Sequence, residues 1–91
     1  MRIGTLTRSV FTDDYKLFLR LLVDGRKRAG FTQAELAHAL ARPQSYVSKF
    51  ERGERRIDVV ELLDITTALG TDPVNFIRRL QRGRTAKIRR V

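Results

Sequence analysis

Apolar positions along this chain recur at steps of three and four rather than alternately, so it reads as a succession of amphipathic helices with no strand. In "TDDYKLFLRLLVDGRKRAG", Phe18, Leu22, Arg26 and Ala29 share one helical face, and Gly30 closes the segment. Asp13 and Asp14 stand at its start, where carboxylates cap the chain and interact favourably with the dipole, so they read as capping residues rather than as a paired acid and base. Gly25 inside this first helix costs about 1 kcal/mol relative to Ala and marks close approach by a neighbour.

A second helix opens at Thr32. Glu35, three residues on, completes a capping box, and Leu36, Ala37 and Leu40 form the inward stripe. His38 falls on the opposite face, alone, as a surface residue. Ala41, Arg42 and Pro43 then break the pattern, because proline lacks a donor and disfavours helix at the residue before it. The third helix is expected from about Pro43 to Arg52, with proline in its first turn and Gly53 as its stop. "DVVELLDITTALG" gives a fourth, with Asp58 at its start, Val59, Leu62, Ile65, Thr66 and Leu69 inward, and Gly70 at its end. "DPVNFIRRLQRG" gives a fifth, capped by Asp72 with Pro73 at the first position and with Val74, Phe76, Ile77 and Leu80 apolar. The expected fold is therefore all-α with five helices over residues 13–82. Residues 1–12, carrying Ile3, Leu6, Val10 and Phe11, form an arm that packs on the body or on a partner, and residues 83–91 form a basic tail.

Composition narrows the function. A chain of 91 residues is one small domain with little room for an enclosed active site, and it offers no catalytic constellation, so an enzyme is not expected. There is no cysteine, which removes disulfides and thiolate metal sites, and neither metal nor cofactor is expected. No apolar run is long enough to span a bilayer, and "MRIGTLTRSV" lacks a signal-peptide core, so the protein is read as soluble and cytoplasmic. The formal net charge is +9. Its placement is uneven: up to Asp72 twelve basic residues nearly balance ten acidic ones, whereas residues 73–91 hold seven basic residues and no acidic one. A tail of this kind attracts any polyanion, so the sharper evidence is local.

That evidence lies in the third helix. Val47 and Phe50, with Glu51 beside them, point one way; Gln44, Ser45, Ser48, Lys49 and Arg52 point the other. Amide, hydroxyl and cation are the groups that pair with base edges and phosphates, although a solvated helix face could carry the same residues. Tyr46 flanks this set, its phenol either reaching a phosphate or packing half-buried beside Phe50. Arg55 and Arg56 follow, just before the fourth helix.

"FTQAELAHAL", a three-residue break and "QSYVSKFERGERR" together resemble the lambda-repressor-like, XRE-type helix-turn-helix family of bacterial and phage DNA-binding regulators. The resemblance spans residues 13–80 and rests on Arg26, Gly30, Thr32, Gln33, Leu36, Ala37, Leu40, Gln44, Val47, Ser48, Glu51 and Gly53, followed by "LLDITTALG". It implies that helices two and three form the helix-turn-helix, with the third entering the major groove of double-stranded DNA. It further implies that Gln33 contacts a phosphate and braces Gln44, and that Ser45, Ser48 and Lys49 also face the bases. Arg55 and Arg56 then grip the backbone, and Arg26 and Glu51 form a partly buried ion pair. The sequence departs from the family pattern at Ala41, where glycine is common, and at Pro43, where a Ser or Thr cap is common.

The leading expectation is a dimeric, sequence-specific repressor on an inverted repeat, with the apolar residues of the fifth helix and the arm available for pairing. The alternative is an antitoxin or protein-interaction module whose fifth helix or tail binds an acidic partner, and nonspecific nucleic-acid packaging by the tail ranks below it.

Overall fold

A computed structural model describes residues 12–85. Most of the expected arm and most of the expected tail lie outside that range. Five helices follow one another: α1 (Asp13–Arg28), α2 (Gln33–Ala39), α3 (Gln44–Glu51), α4 (Val59–Leu69) and α5 (Pro73–Gly83), with no strand among the described residues.

Four of the five helices begin where a side chain takes over an orphaned backbone group. Thr12 caps α1 by accepting from the Tyr15 N–H at 3.1 Å, so the cap is this hydroxyl, while Asp13 and Asp14 occupy the first turn. Thr32 and Glu35 make both halves of the capping box of α2, and Asp58 and Glu61 make both halves at α4. At α3 the expectation shifts by one residue. Pro43 is the N-cap, with extended ψ of 154°, and the helix starts at Gln44 without a side-chain cap. The proline thus fixes the entry to the helix from outside it.

The ends of α1, α2, α3 and α4 share one device: two backbone N–H groups fold back onto carbonyls of the last turn around a left-handed residue. That residue is glycine at 30, 53 and 70, but at the turn between α2 and α3 it is Ala41, with φ 56°. Arg42 N–H reaches the Ala37 carbonyl at 2.9 Å and Ala41 N–H the His38 carbonyl at 3.0 Å, so the turn keeps its bonds although its side chain disfavours the conformation.

The core gathers one stripe from every helix: Phe18, Leu19 and Leu22 of α1, Leu36 and Ala37 of α2, Tyr46, Val47 and Phe50 of α3, Leu62 and Ile65 of α4, and Phe76 of α5. Phe18 sets its ring edge-on to Phe76, 5.7 Å between centroids, and so joins the first and last helices. Thr66 is buried without penalty because its hydroxyl donates to the Leu62 and Leu63 carbonyls.

Two packing expectations are corrected. Val59 is 69% exposed, since the buried stripe of α4 begins only at Leu62 and no described element covers its first turn. At Gly25 an added Cβ would meet only Leu69 Cδ1 at 3.7 Å, an ordinary contact. The close approach is at Gly83 instead, where a Cβ would come within 2.7 Å of Leu17 Cδ2. Just beyond, Asp14 accepts from Arg84 Nε at 3.1 Å and from Thr85 N–H at 2.8 Å, so the root of the tail is tied to the first turn of α1.

Candidate nucleic-acid interface

Helix α3 divides into a face that is held and a face that is not. Val47 and Phe50 are fully buried, and the Glu51 side chain is only 6% exposed. A carboxylate so buried is tolerable only with strong donors around it, and three arrive. Arg26 Nε meets Oε2 at 2.7 Å, Arg26 Nη2 meets Oε1 at 3.1 Å, and Gln33 Nε2 meets Oε1 at 2.8 Å. Arg26 directs its remaining nitrogen to the Phe31 carbonyl at 2.9 Å. One carboxylate therefore fastens α1, the start of α2 and the end of α3 together, and no buried side-chain polar atom among the described residues lacks a partner.

On the other face, Gln44, Ser45 and Lys49 are exposed, and among the described residues no other element bonds to their side chains. Ser48 is half-buried, its hydroxyl donating weakly to the Ser45 carbonyl at 3.3 Å. Gln33 does not brace Gln44; its amide is drawn to the stronger acceptor, Glu51. Gln33 Nε2 keeps a second hydrogen beyond this bond, and as the first residue of α2 Gln33 has a backbone N–H with no intrahelical acceptor.

Tyr46 resolves toward packing. It is buried, its ring stands edge-on to Phe50 with centroids 5.5 Å apart, and two guanidiniums sit over that ring: Arg42 at 4.5 Å and Arg55 at 4.8 Å from the centroid. The tyrosine ring therefore carries two cation-π contacts, one with an arginine from each end of α3. Burial raises the phenol's pKa first, with the neighbouring Glu61 carboxylate adding to it and the two arginines opposing it. Arg42 is not among the site residues that the sequence points to. Its signal, a basic residue four positions before an aromatic one across the turn, means nothing until the turn's geometry is known.

Arg55 is bound at its tip as well. Its Nη2 meets Glu61 Oε2 at 2.7 Å and its Nη1 meets Glu61 Oε1 at 3.0 Å, while the same Oε1 accepts the Asp58 N–H. These bonds, that from Arg55 first and that from the Asp58 backbone second, hold the Glu61 carboxyl at about 2. Arg56 lies 4.2 Å over the Tyr15 ring, whose hydroxyl accepts from the Ile57 N–H at 3.2 Å. Both arginines are thus set on aromatic platforms in the segment joining α3 to α4. Arg52 differs: it forks onto Glu54 at 2.8 and 3.2 Å in the open, which holds that carboxyl below its ordinary range and offsets the charge Arg52 would bring.

Chemically, this arrangement can present an amide, a hydroxyl and an ammonium on one rigid helix, flanked by stacked guanidiniums. Among the described residues no group of His, Cys, Asp and Glu could hold a metal ion, and no helix is long and apolar enough to cross a membrane.

A short helix held from behind, following another across a tight turn, defines a helix-turn-helix protein. Residues 17–76 match the family model described as "Helix-turn-helix domain". Among solved structures, the chain is similar to an XRE-family like protein from Pseudomonas syringae pv. tomato str. DC3000, at 44% identity over 85% of this chain and 94% of that one, with a TM-score of 0.76. The chain belongs to the XRE-type helix-turn-helix family of DNA-binding regulators. Two further structures share the fold. A point mutant of the restriction-modification controller protein C.Esp1396I has 24% identity over 78% of this chain and 95% of that one, with a TM-score of 0.72. The clp gene regulator ClgR from C. glutamicum has 22% identity over 84% of this chain and 99% of that one, with a TM-score of 0.71. No curated protein matches the chain.

Proposed function

We propose that this protein is a sequence-specific transcriptional repressor that acts as a homodimer in the cytoplasm of a bacterium, without catalysis, and reads double-stranded DNA with α3. The observation that carries the reading is the division of that helix. Gln44, Ser45 and Lys49 are exposed with no tertiary bond among the described residues, while Val47, Phe50 and Glu51 are buried or bonded. A helix so mounted can be pressed into a groove without reorganising the fold. In the major groove Gln44 has the donor and acceptor pair that matches adenine, Lys49 donates to guanine or a phosphate, and Ser45 and Ser48 suit several bases. Arg42, Arg55 and Arg56, with the N-termini of α2 and α4, supply the sequence-independent grip on phosphates.

One helix of eight residues reads only a few base pairs, and dimerisation doubles the site. Five large apolar side chains on α4 and α5 support this: Val59, Val60, Leu63, Val74 and Ile77 are 46 to 69% exposed. Side chains of this kind left open to water on two successive helices suit the surface of a second copy. Occupying a promoter through two half-sites about 34 Å apart would exclude polymerase. Selection of bound sequences from a random duplex pool, with sedimentation of the protein alone and on the selected duplex, tests the reading. An inverted repeat bound by two protomers is expected. A selected pool without consensus, or one protomer per site, would overturn it.

A further inference from the structure

A cleft of about 480 Å³, to which α3 contributes no lining residue, runs between α1 and α5 and ends at the close of α4. Leu22, Leu69 and Phe76 contribute apolar walls, and Gly25 leaves its floor open, because no side chain rises there. Arg28 from α1 and Arg79 and Arg82 from α5 also line it. None of these three guanidiniums makes an ion pair among the described residues. Every Asp and Glu of the sequence lies between Asp13 and Asp72, within the described residues. The one carboxylate in the lining, Asp72, accepts from the Val74 N–H as the cap of α5.

Three like charges beside an apolar floor repel one another and gain from an anion that brings its own apolar body. We infer that this cleft is a binding site for a small amphiphilic organic anion, a carboxylate or phosphate monoester on an acyl or aryl body. Its volume falls within the range of small-molecule pockets, roughly 300–1,000 Å³. A protein partner fits less well, because all five exposed large apolar side chains lie outside the lining and leave no apolar core for an interface. A duplex fits less well too, since neither α2 nor α3 contributes to the cleft. The inference is independent of which DNA sequence the protein reads.

The test is a titration of the full-length, isotope-labelled protein with octanoate and with octyl phosphate, followed by amide NMR. Saturable shifts centred on Gly25 and Asn75 are expected for at least one of them, with octan-1-ol binding at least about tenfold more weakly, as loss of one charge-assisted contact implies. The double substitution Arg79→Gln/Arg82→Gln removes two exposed charges and no packing, and it should raise the dissociation constant about tenfold or more. Gly25→Leu should fill the floor and abolish binding; should it fail to fold, the arginine pair carries the test. Shifts centred on Val59, Leu63 and Ile77, equal affinity for octan-1-ol, or an unchanged response in the double variant would each overturn the inference.

Discussion

Gln33 Nε2 donates to Glu51 Oε1 at 2.8 Å, so the first residue of α2 and the last residue of α3 meet on one carboxylate that Arg26 also holds. The bond fixes the two helices of the reading unit to each other, while the arginine fixes both to α1. Glu51→Ala strands a buried guanidinium and is expected to cost about 3–5 kcal/mol. Gln33→Ala removes one donor and leaves the ion pair, costing about 1–2 kcal/mol. Urea unfolding of both variants checks the ranking, and equal losses would contradict it.

The Gln44 side chain is exposed and makes no bond among the described residues, which separates stability from specificity. Gln44→Ala should leave the thermal midpoint unchanged while relaxing discrimination at one base pair by about 1–3 kcal/mol. Mobility shifts on operators varied one base at a time measure this. A loss shared by all sequences would place Gln44 on the backbone instead.

The Arg42–Tyr46–Arg55 stack predicts a different signature. Arg42→Ala and Arg55→Ala should weaken binding to all duplexes and each lower the slope of log affinity against log salt by about 1. Tyr46→Leu removes no charge but takes away the platform on which both guanidiniums rest, so it should weaken all sequences with a smaller change in slope. Tyr46→Phe keeps the platform and should approach the parent protein. Fluorescence anisotropy across a salt series distinguishes these outcomes.

Ala41 bears a left-handed backbone at φ 56°. Ala41→Gly relieves about 1–2 kcal/mol of steric strain and returns about 0.5–1 kcal/mol in chain entropy. A net gain of about 0–1.5 kcal/mol should appear as a higher thermal midpoint. A fall would mean that the methyl group packs in the native state.

Glu61 sets an acid limit. Its carboxyl is held at about 2 in the folded chain against an ordinary 4.5, so it binds a proton more readily when unfolded. Its contribution to stability is complete above pH 4.5 and is lost as pH falls toward 2. Arg55→Ala removes the leading cause of the depression and should flatten this acid limb, which urea midpoints recorded from neutral to acid pH would show.

Much of this molecule is legible in its sequence because its signals are local. The Thr32/Glu35 box, the Asp72–Pro73 start and the glycines at 30, 53 and 70 each answer a backbone need within a few residues. What cannot be read there depends on distant neighbours. Val59 continues the stripe of Leu62 and Ile65, and nothing in the chain tells where the covering surface ends. Gln33 has two partners of suitable chemistry, and only the arrival of Glu51 beside α2 chooses between them. Tyr46 stands open between phosphate and packing until two arginines from opposite ends of α3 close on its ring.

The residues that hold α3 and those proposed to face DNA are almost disjoint sets: Val47, Phe50 and Glu51 against Gln44, Ser45 and Lys49. Substitutions in the second set cost little folding free energy, so operator preference can drift, or be redesigned, along a nearly level path. The first set does not share that freedom. At seven and eight residues, α2 and α3 are too short to persist outside the bundle, so the transplantable unit is the whole five-helix body and never the reading helix alone.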